Sequence, residues 1–475
     1  MSLVSVPFFI FILCLLVAYY NAGEKHQWKV LLAGSAFFYL CSNPVYIIFI
    51  VISIVSTWYL MRRPIRSHLI IAVIINLTLL VIFKYSVNIG VHDLAIPLGI
   101  SFYTFMTLGY AHDCYDKKTE PSDNIWHYAL FISYFPQLTE GPIGTYQDMH
   151  EQLVSYHPFD FQRIKTGGYR IIIGVFKKFV IAGRVAYYVD TVYSDPAGYG
   201  GLTLIVAAIF YIIELYADFS GYMDIVCGIS DMLGIRLKEN FMRPFLSKNA
   251  PEFWRRWHIS LMEWFNTHLF MPSVTSKWNK KASDILSRIF PKAKKGTLRT
   301  VCPLIIVWLI TGLWHGAKVS YIGWGAYYAV IMLLSLCTRS GIKKLCAAIH
   351  WNEENILVKI FQIVRTLVIF TVGEIIFRAD SLSDITAIFG NIFSATRING
   401  GEIAAALTPF GNGNQAAASI IIITVVIIAQ FIVEIAKERN EKAFTGHRYI
   451  YAFLMLVAIA LFGVTGESNF MYQAF

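Results

Sequence analysis

Charge is scarce in this chain. Only 15% of its 475 residues are Asp, Glu, Lys or Arg, against 56% hydrophobic and 15% aromatic, and the mean hydropathy is +0.55. So little charge cannot clothe a water-soluble protein of this length, which excludes an ordinary soluble domain. Cysteine is sparse too: there are 7, an odd number with no C-x-x-C pair, lying mostly in apolar stretches (Cys14, Cys41, Cys227, Cys302, Cys337). Neither a disulfide framework nor a zinc site is implied. The absence of a G-x-S-x-G elbow argues against serine-nucleophile chemistry. No soluble domain, low-complexity tract or internal repeat is visible, so residues 1–475 read as one integral membrane domain.

What is present is a succession of apolar runs, such as 416–433 and 451–464, long enough with their flanks to cross a hydrocarbon core of about 30 Å. On that criterion we expect about ten to twelve crossings in an all-α, multi-pass protein of the cytoplasmic membrane. The formal charge of +10 does not point to nucleic acid, because the cations sit in short segments between apolar runs. Arg62, Arg63 and Arg66, the basic loop 277–299, and Lys437 with Arg439 and Lys442 follow the positive-inside pattern and belong on the cytoplasmic face. Runs 30–40 and 46–60, joined at Ser42, Asn43 and Pro44, form a hairpin that leaves the N-terminus outside. The first run, 3–20, has no basic segment before it and reads as a retained span rather than a cleaved signal.

Three zones depart from plain apolar sequence: 96–146, 211–313 and 308–320. In "YIIELYADFSGYMDIVCGISDMLGI" the acids Glu214, Asp218, Asp224 and Asp231 sit in an apolar, helix-like context. Acids at membrane depth must face protein or a water-filled cavity. Pairing with arginines such as Arg236 or Arg243 and lining a cavity satisfy that demand equally well.

The stretch "FWRRWHISLMEWF", 253–265, follows Asn249 as a helix N-cap, Pro251 in the first turn and Glu252 placed for a capping box. Read as one helix, it puts Trp254, Trp257, His258, Leu261 and Phe265 on one face and Glu252, Arg256, Ser260 and Glu263 on the other. Taken alone it is an interfacial amphipathic helix with a core histidine. His315 changes the weighing. It ends the apolar run 301–314, which is too short to cross the bilayer unaided, and lies between Gly312 and Gly316, where another group can approach closely. A histidine at membrane depth is a functional hypothesis by default. Acids at ligand spacing from either histidine are lacking, so we expect no metal. General acid-base chemistry fits a buried, neutral imidazole better, with the reaction class left open.

Six ordered stretches, "IPLGISFYTF", "YFPQLTEGPI", "YADFSGYMDIVCGISDMLGIRLKENFMRPF", "FWRRWHISLMEWF", "LITGLWHGA" and "GEIIFRADSLSDITAIF", together resemble the membrane-bound O-acyltransferase family. The resemblance is to its bacterial branch of alginate O-acetylation and teichoic-acid D-alanyl transfer proteins, and covers nearly the whole chain. It implies a ring of tilted helices around a thin core pierced by a tunnel, with His315 as the principal catalytic residue and His258 in the same site. Asp218, Ser220, Asn240, Arg243, Trp254, Arg255, Trp257 and Trp314 are the substrate-binding candidates. The resemblance further implies a cytoplasmic thioester donor, acetyl-CoA or an acyl carrier protein, used as substrate with no bound cofactor. It also implies an extracytoplasmic esterase-like partner. Basic residues 277–299 are a docking candidate for an acidic carrier protein or an anionic cofactor, although a topology signal accounts for them better. Two features depart from the family's wording: Glu140 stands where a small or amide-bearing residue is expected, and the ending "GESNFMYQAF" matches the acetylating branch only loosely.

The function expected is therefore O-acetylation of an extracellular polysaccharide or cell-wall polymer, with D-alanylation of teichoic acid as the alternative. A proton-coupled transporter would also use intramembrane acids and histidines, although no inverted repeat is visible. A purely structural scaffold gives no reason for burying both histidines.

Overall fold

The computed structural model describes residues 2–42, 44–86, 95–291, 293–396, 399–410 and 413–464. These residues are overwhelmingly helical, and their extended pairing is an isolated antiparallel bridge between Phe241 and Trp257. Among them, 8 helices are long and apolar enough to cross a membrane: Pro44–Met61, Arg66–Lys84, Gly201–Met232, Lys295–His315, Val319–Ala348, Ile356–Arg378, Ala417–Arg439 and Thr445–Phe462, with the shorter apolar helix Val6–Asn21 beside them. The number falls below the apolar-run expectation because several runs are divided into short helices, as at Ile125–Ser133 and Phe135–Leu138. The early hairpin is present as Gln27–Ser42, a turn at Pro44–Tyr46 and Ile47–Met61. Asn43 and the terminal stretch 466–475 lie outside the described residues.

The chain divides into two compact units and passes between them four times, one passage falling inside the Gly201–Met232 helix. The first unit comprises Met1–Lys178, Asp218–Glu239 and Arg448–Phe475. Its core includes a cluster of aromatic rings, among them Phe11 and Phe38 against Phe135 at 5.4 and 5.5 Å. The helix Phe161–Phe176, capped by Asp160, crosses the segment after Asp218 with almost no spacing. A Cβ on Gly167 would stand 2.4 Å from the carbonyl oxygen of Gly228, so only glycine lets these backbones meet. That approach brings cations onto the acids of the apolar stretch. Arg170 reaches Asp224 at 3.1 Å and Asp231 at 3.8 Å, Lys177 reaches Asp224 at 2.8 Å, and buried Lys178 reaches Asp218 at 2.6 Å.

Asp218, Asp224 and Asp231 are thus paired, chiefly with Arg170, Lys177 and Lys178; Arg236 acts on Asp231 only as a more distant charge, and Arg243 pairs elsewhere. Sequence spacing cannot choose among cations when the partner is set by a helix crossing. Near them lies Glu140, only 1% exposed, with both carboxyl oxygens lacking a hydrogen-bond partner among the described residues. Its N–H donates to the Tyr222 hydroxyl at 3.2 Å, which also hydrogen-bonds Thr139. Burial pushes the Glu140 carboxyl well above the usual range; the Asp218 carboxylate adds to the rise and the Lys178 ammonium opposes it.

The second unit comprises Phe179–Ala217 and Asn240–His447. Here the helices Lys295–His315 and Val319–Ala348 pack at close range, since a Cβ on Gly312 would lie 2.4 Å from the Tyr321 carbonyl oxygen. The close neighbour expected beside Gly312 is therefore the backbone of the next helix. The basic stretch 277–299, expected as a loop, is largely helical, as Lys277–Ile289 and the first turn of Lys295–His315. Ser276 caps the former by accepting the Asn279 N–H at 3.2 Å.

Candidate active site

His315 is the last residue of its helix, where Gly316, at φ 147°, ends the helical path. The run 301–314 overcomes its shortness by continuing upstream to Lys295, with Pro303 accommodated inside the helix. The imidazole is 4% exposed and enclosed by rings: Trp314 at 4.7 Å, Phe377 at 4.9 Å, Trp324 at 5.2 Å and Tyr321 at 6.1 Å. Trp324 donates its indole N–H to the buried carboxylate side chain of Glu374 at 3.1 Å. On its other side Trp324 meets Trp254 at 5.8 Å, which also packs on Trp308 at 4.9 Å and Tyr328 at 4.8 Å. An aromatic shell of this density shuts out bulk water and holds each ring in one orientation.

The segment carrying His258 differs from the single amphipathic helix expected. Two short helices, Ala250–Arg256 and Ile259–Phe265, meet at Trp257 and His258, and His258 adopts a left-handed backbone at φ 47°. The turn is imposed by Phe241, which bridges Trp257, and by Asn240, whose carbonyl accepts the Ile259 N–H at 3.0 Å and whose side-chain oxygen accepts the Ser260 N–H at 2.9 Å. Ser260 is consequently buried rather than on a charged face. Asn249 does cap the first helix through the Glu252 N–H at 2.9 Å, whereas Glu252 reaches back to the Lys248 N–H at 3.1 Å instead of completing the box on Asn249. His258 is 3% exposed, outside the long apolar helices, and burial pushes its imidazole down to about 3, so it is neutral at any physiological pH.

The other candidates are divided between the two units. Trp257 stacks on Phe253 at 5.6 Å and meets Phe370 at 5.2 Å. Arg243 is ion-paired with Glu438 at 2.7 Å and Glu441 at 2.8 Å; Arg256 pairs with Glu252 at 2.8 Å and Glu438 at 2.9 Å. Arg255 is exposed. Asp218, with its Lys178 partner, and buried Ser220 belong to the first unit.

Residues 119–373, just over half of the chain, match the model of the membrane-bound O-acyltransferase family. The chain belongs to this family. It is 30% identical over 420 residues to the probable alginate O-acetylase AlgI of Pseudomonas putida, covering 82% of this chain and 79% of that protein. It is 29% identical over 351 residues to the peptidoglycan O-acetyltransferase of Helicobacter pylori, covering 64% and 63%. To the teichoic acid D-alanyltransferase of Bacillus subtilis it is 31% identical over 245 residues, covering 51% and 59%.

As a membrane-bound O-acyltransferase, the protein is a multi-pass membrane enzyme that transfers acyl groups to hydroxyls. Glu374 is the residue around His315 that sequence reasoning missed. The rule that singled out Glu214 and Asp218, an acid inside an apolar run, applies equally to "FTVGEIIF" and would have found it.

Proposed function

We propose that this protein moves an acetyl group from a cytoplasmic thioester, acetyl-CoA or an acyl carrier protein, across the cytoplasmic membrane toward O-acetylation of an extracellular polysaccharide or cell-wall polymer. The observation that supports the reading is the burial of His315 at a helix end among aromatic rings, one of which, Trp324, is held by Glu374. A neutral imidazole there takes the proton of the acceptor hydroxyl as its oxygen attacks the thioester carbonyl. The carbon–sulfur bond then breaks, and the thiolate recovers the proton from the imidazolium. His258, held by its strained turn, orients a reactant rather than removing the proton. Delivery to the polymer falls to an extracytoplasmic esterase-like partner. The greater coverage of the alginate relatives favours acetyl over D-alanyl transfer.

The test is the ester released by alkali from surface polymers of a deletion strain complemented with wild type or His315→Ala, both at matched membrane levels. Acetate released only with wild type is the expected result. D-alanine in its place assigns the chain to teichoic-acid modification, and equal ester from both strains removes His315 from the chemistry.

A further inference from the structure

The Lys277–Ile289 helix has its faces reversed relative to an ordinary surface helix. The side turned to the protein is small and polar: Asn279 and Ser283 are buried, and the Asn279 amide donates to the Arg299 carbonyl at 2.8 Å and the Val274 carbonyl at 3.2 Å. At 100° per residue, Trp278, Ile285 and Ile289 fall together on another side. They are 46%, 59% and 62% exposed, with Phe290 beyond them at 55%. Lys277, Lys281 and Arg288 form a third strip beside this apolar one, interrupted by Asp284, with Lys280 on the far edge. Eight cations against that single acid lie in 277–299.

With 13 residues the helix spans about 20 Å, short of the hydrocarbon thickness, and its five charges bar it from crossing. An outward apolar strip flanked by cations is the arrangement of a helix lying in the plane of the interface. The apolar strip then sits at the acyl boundary while the cations meet phosphates. The Lys295–His315 span, tied to this helix through the Asn279–Arg299 hydrogen bond, begins at the same basic end, which puts the helix at the level of a membrane surface. A soluble acidic partner would answer the cations but would have to supply its own apolar surface; an anionic bilayer supplies both.

We propose that Lys277–Ile289 is an in-plane anchor that seats Trp278, Ile285 and Ile289 in the bilayer and binds anionic phospholipid headgroups through Lys277, Lys281 and Arg288. This assignment is independent of the acyl-transfer reading. The experiment places benzoylphenylalanine at position 285 in the full chain, reconstituted in nanodiscs of equimolar phosphatidylcholine and phosphatidylglycerol, and reads photo-adducts by intact mass. Phosphatidylglycerol adducts should predominate, and the preference should fall roughly fivefold for each of Lys277→Gln, Lys281→Gln and Arg288→Gln. Lys277→Arg and Lys281→Arg should retain it, separating charge from misfolding. Equal adducts of both lipids, no lipid adduct, or an adduct to a soluble acidic protein when the reaction is run in cells would each overturn the proposal.

Discussion

Trp324 stands edge-on to His315, ring centres 5.2 Å apart and planes at 78°, while its indole N–H is committed to Glu374. The imidazole is thus positioned by a ring that is itself fixed by a buried acid on a third helix, Ile356–Arg378. Glu374→Gln keeps an acceptor for the indole and should retain acyl transfer within a few-fold. Glu374→Ala removes it, leaves a buried N–H unsatisfied at about 1–3 kcal/mol, and should lower kcat with little change in KM. Steady-state transfer assays with purified variants distinguish these outcomes; equal kcat in Glu374→Ala and wild type would remove Glu374 from the positioning chain.

Gly312 lies one turn before His315 and faces the Tyr321 carbonyl, so any side chain there must separate two helices. Gly312→Ala should cost about 1–3 kcal/mol of stability. It should also cut activity, because the His315–Tyr321 and His315–Trp324 contacts shift together. Gly323→Ala is the matched control, since its Cβ would meet only an ordinary contact at 3.5 Å from Ile376. Thermal unfolding and turnover of both variants decide the point, and indifference to Gly312→Ala would show that the interface yields.

His258 pairs a strained backbone with a buried ring, and the two can be separated. A left-handed residue other than glycine costs about 1–2 kcal/mol, so His258→Gly should be more stable than His258→Ala while both lose activity. The pH dependence has a definite sign. The unfolded imidazole takes a proton below about 6.5 that the buried one refuses until about 3, so the wild type loses stability as pH falls through that window. Removing the ring should flatten the slope by up to about 1.4 kcal/mol per pH unit, read from unfolding midpoints between pH 7 and 4.

These residues also mark what could be read from the sequence. Long apolar runs gave the spans, because the bilayer demands length and composition and little else. The aromatic and apolar settings of His258 and His315 singled out both histidines, the family motifs implied their role, and the N-cap at Asn249 followed from local chemistry. The break at Trp257 and His258 was invisible, since no glycine or proline marks it and the turn is made by Asn240 and Phe241 arriving from outside the helix. For the same reason the acids of the apolar stretch were seen but their partners were not. Arg170, Lys177 and Lys178 reach them through a crossing that the Gly167–Gly228 approach permits. Glu374 was legible as an acid inside an apolar run, whereas its partner Trp324, on another helix, was not.

Glu140 departs from the residue type expected at its position, and its surroundings make it a liability at neutral pH. Among the described residues neither carboxyl oxygen has a hydrogen-bond partner, so folding holds the buried group protonated while the unfolded chain ionises it above about 4.5. The folded state therefore loses stability relative to the unfolded one as pH rises past that value, the opposite sense to His258. Glu140→Gln has nearly the same shape and cannot ionise. It should unfold at a higher temperature than wild type at pH 8, and the difference should shrink as the pH is lowered to 4.5. Glu140→Ala empties a packed site beside Tyr222 and should be destabilising at every pH. A wild type more stable than Glu140→Gln at pH 8 would mean that the carboxylate is ionised and paired in the folded protein.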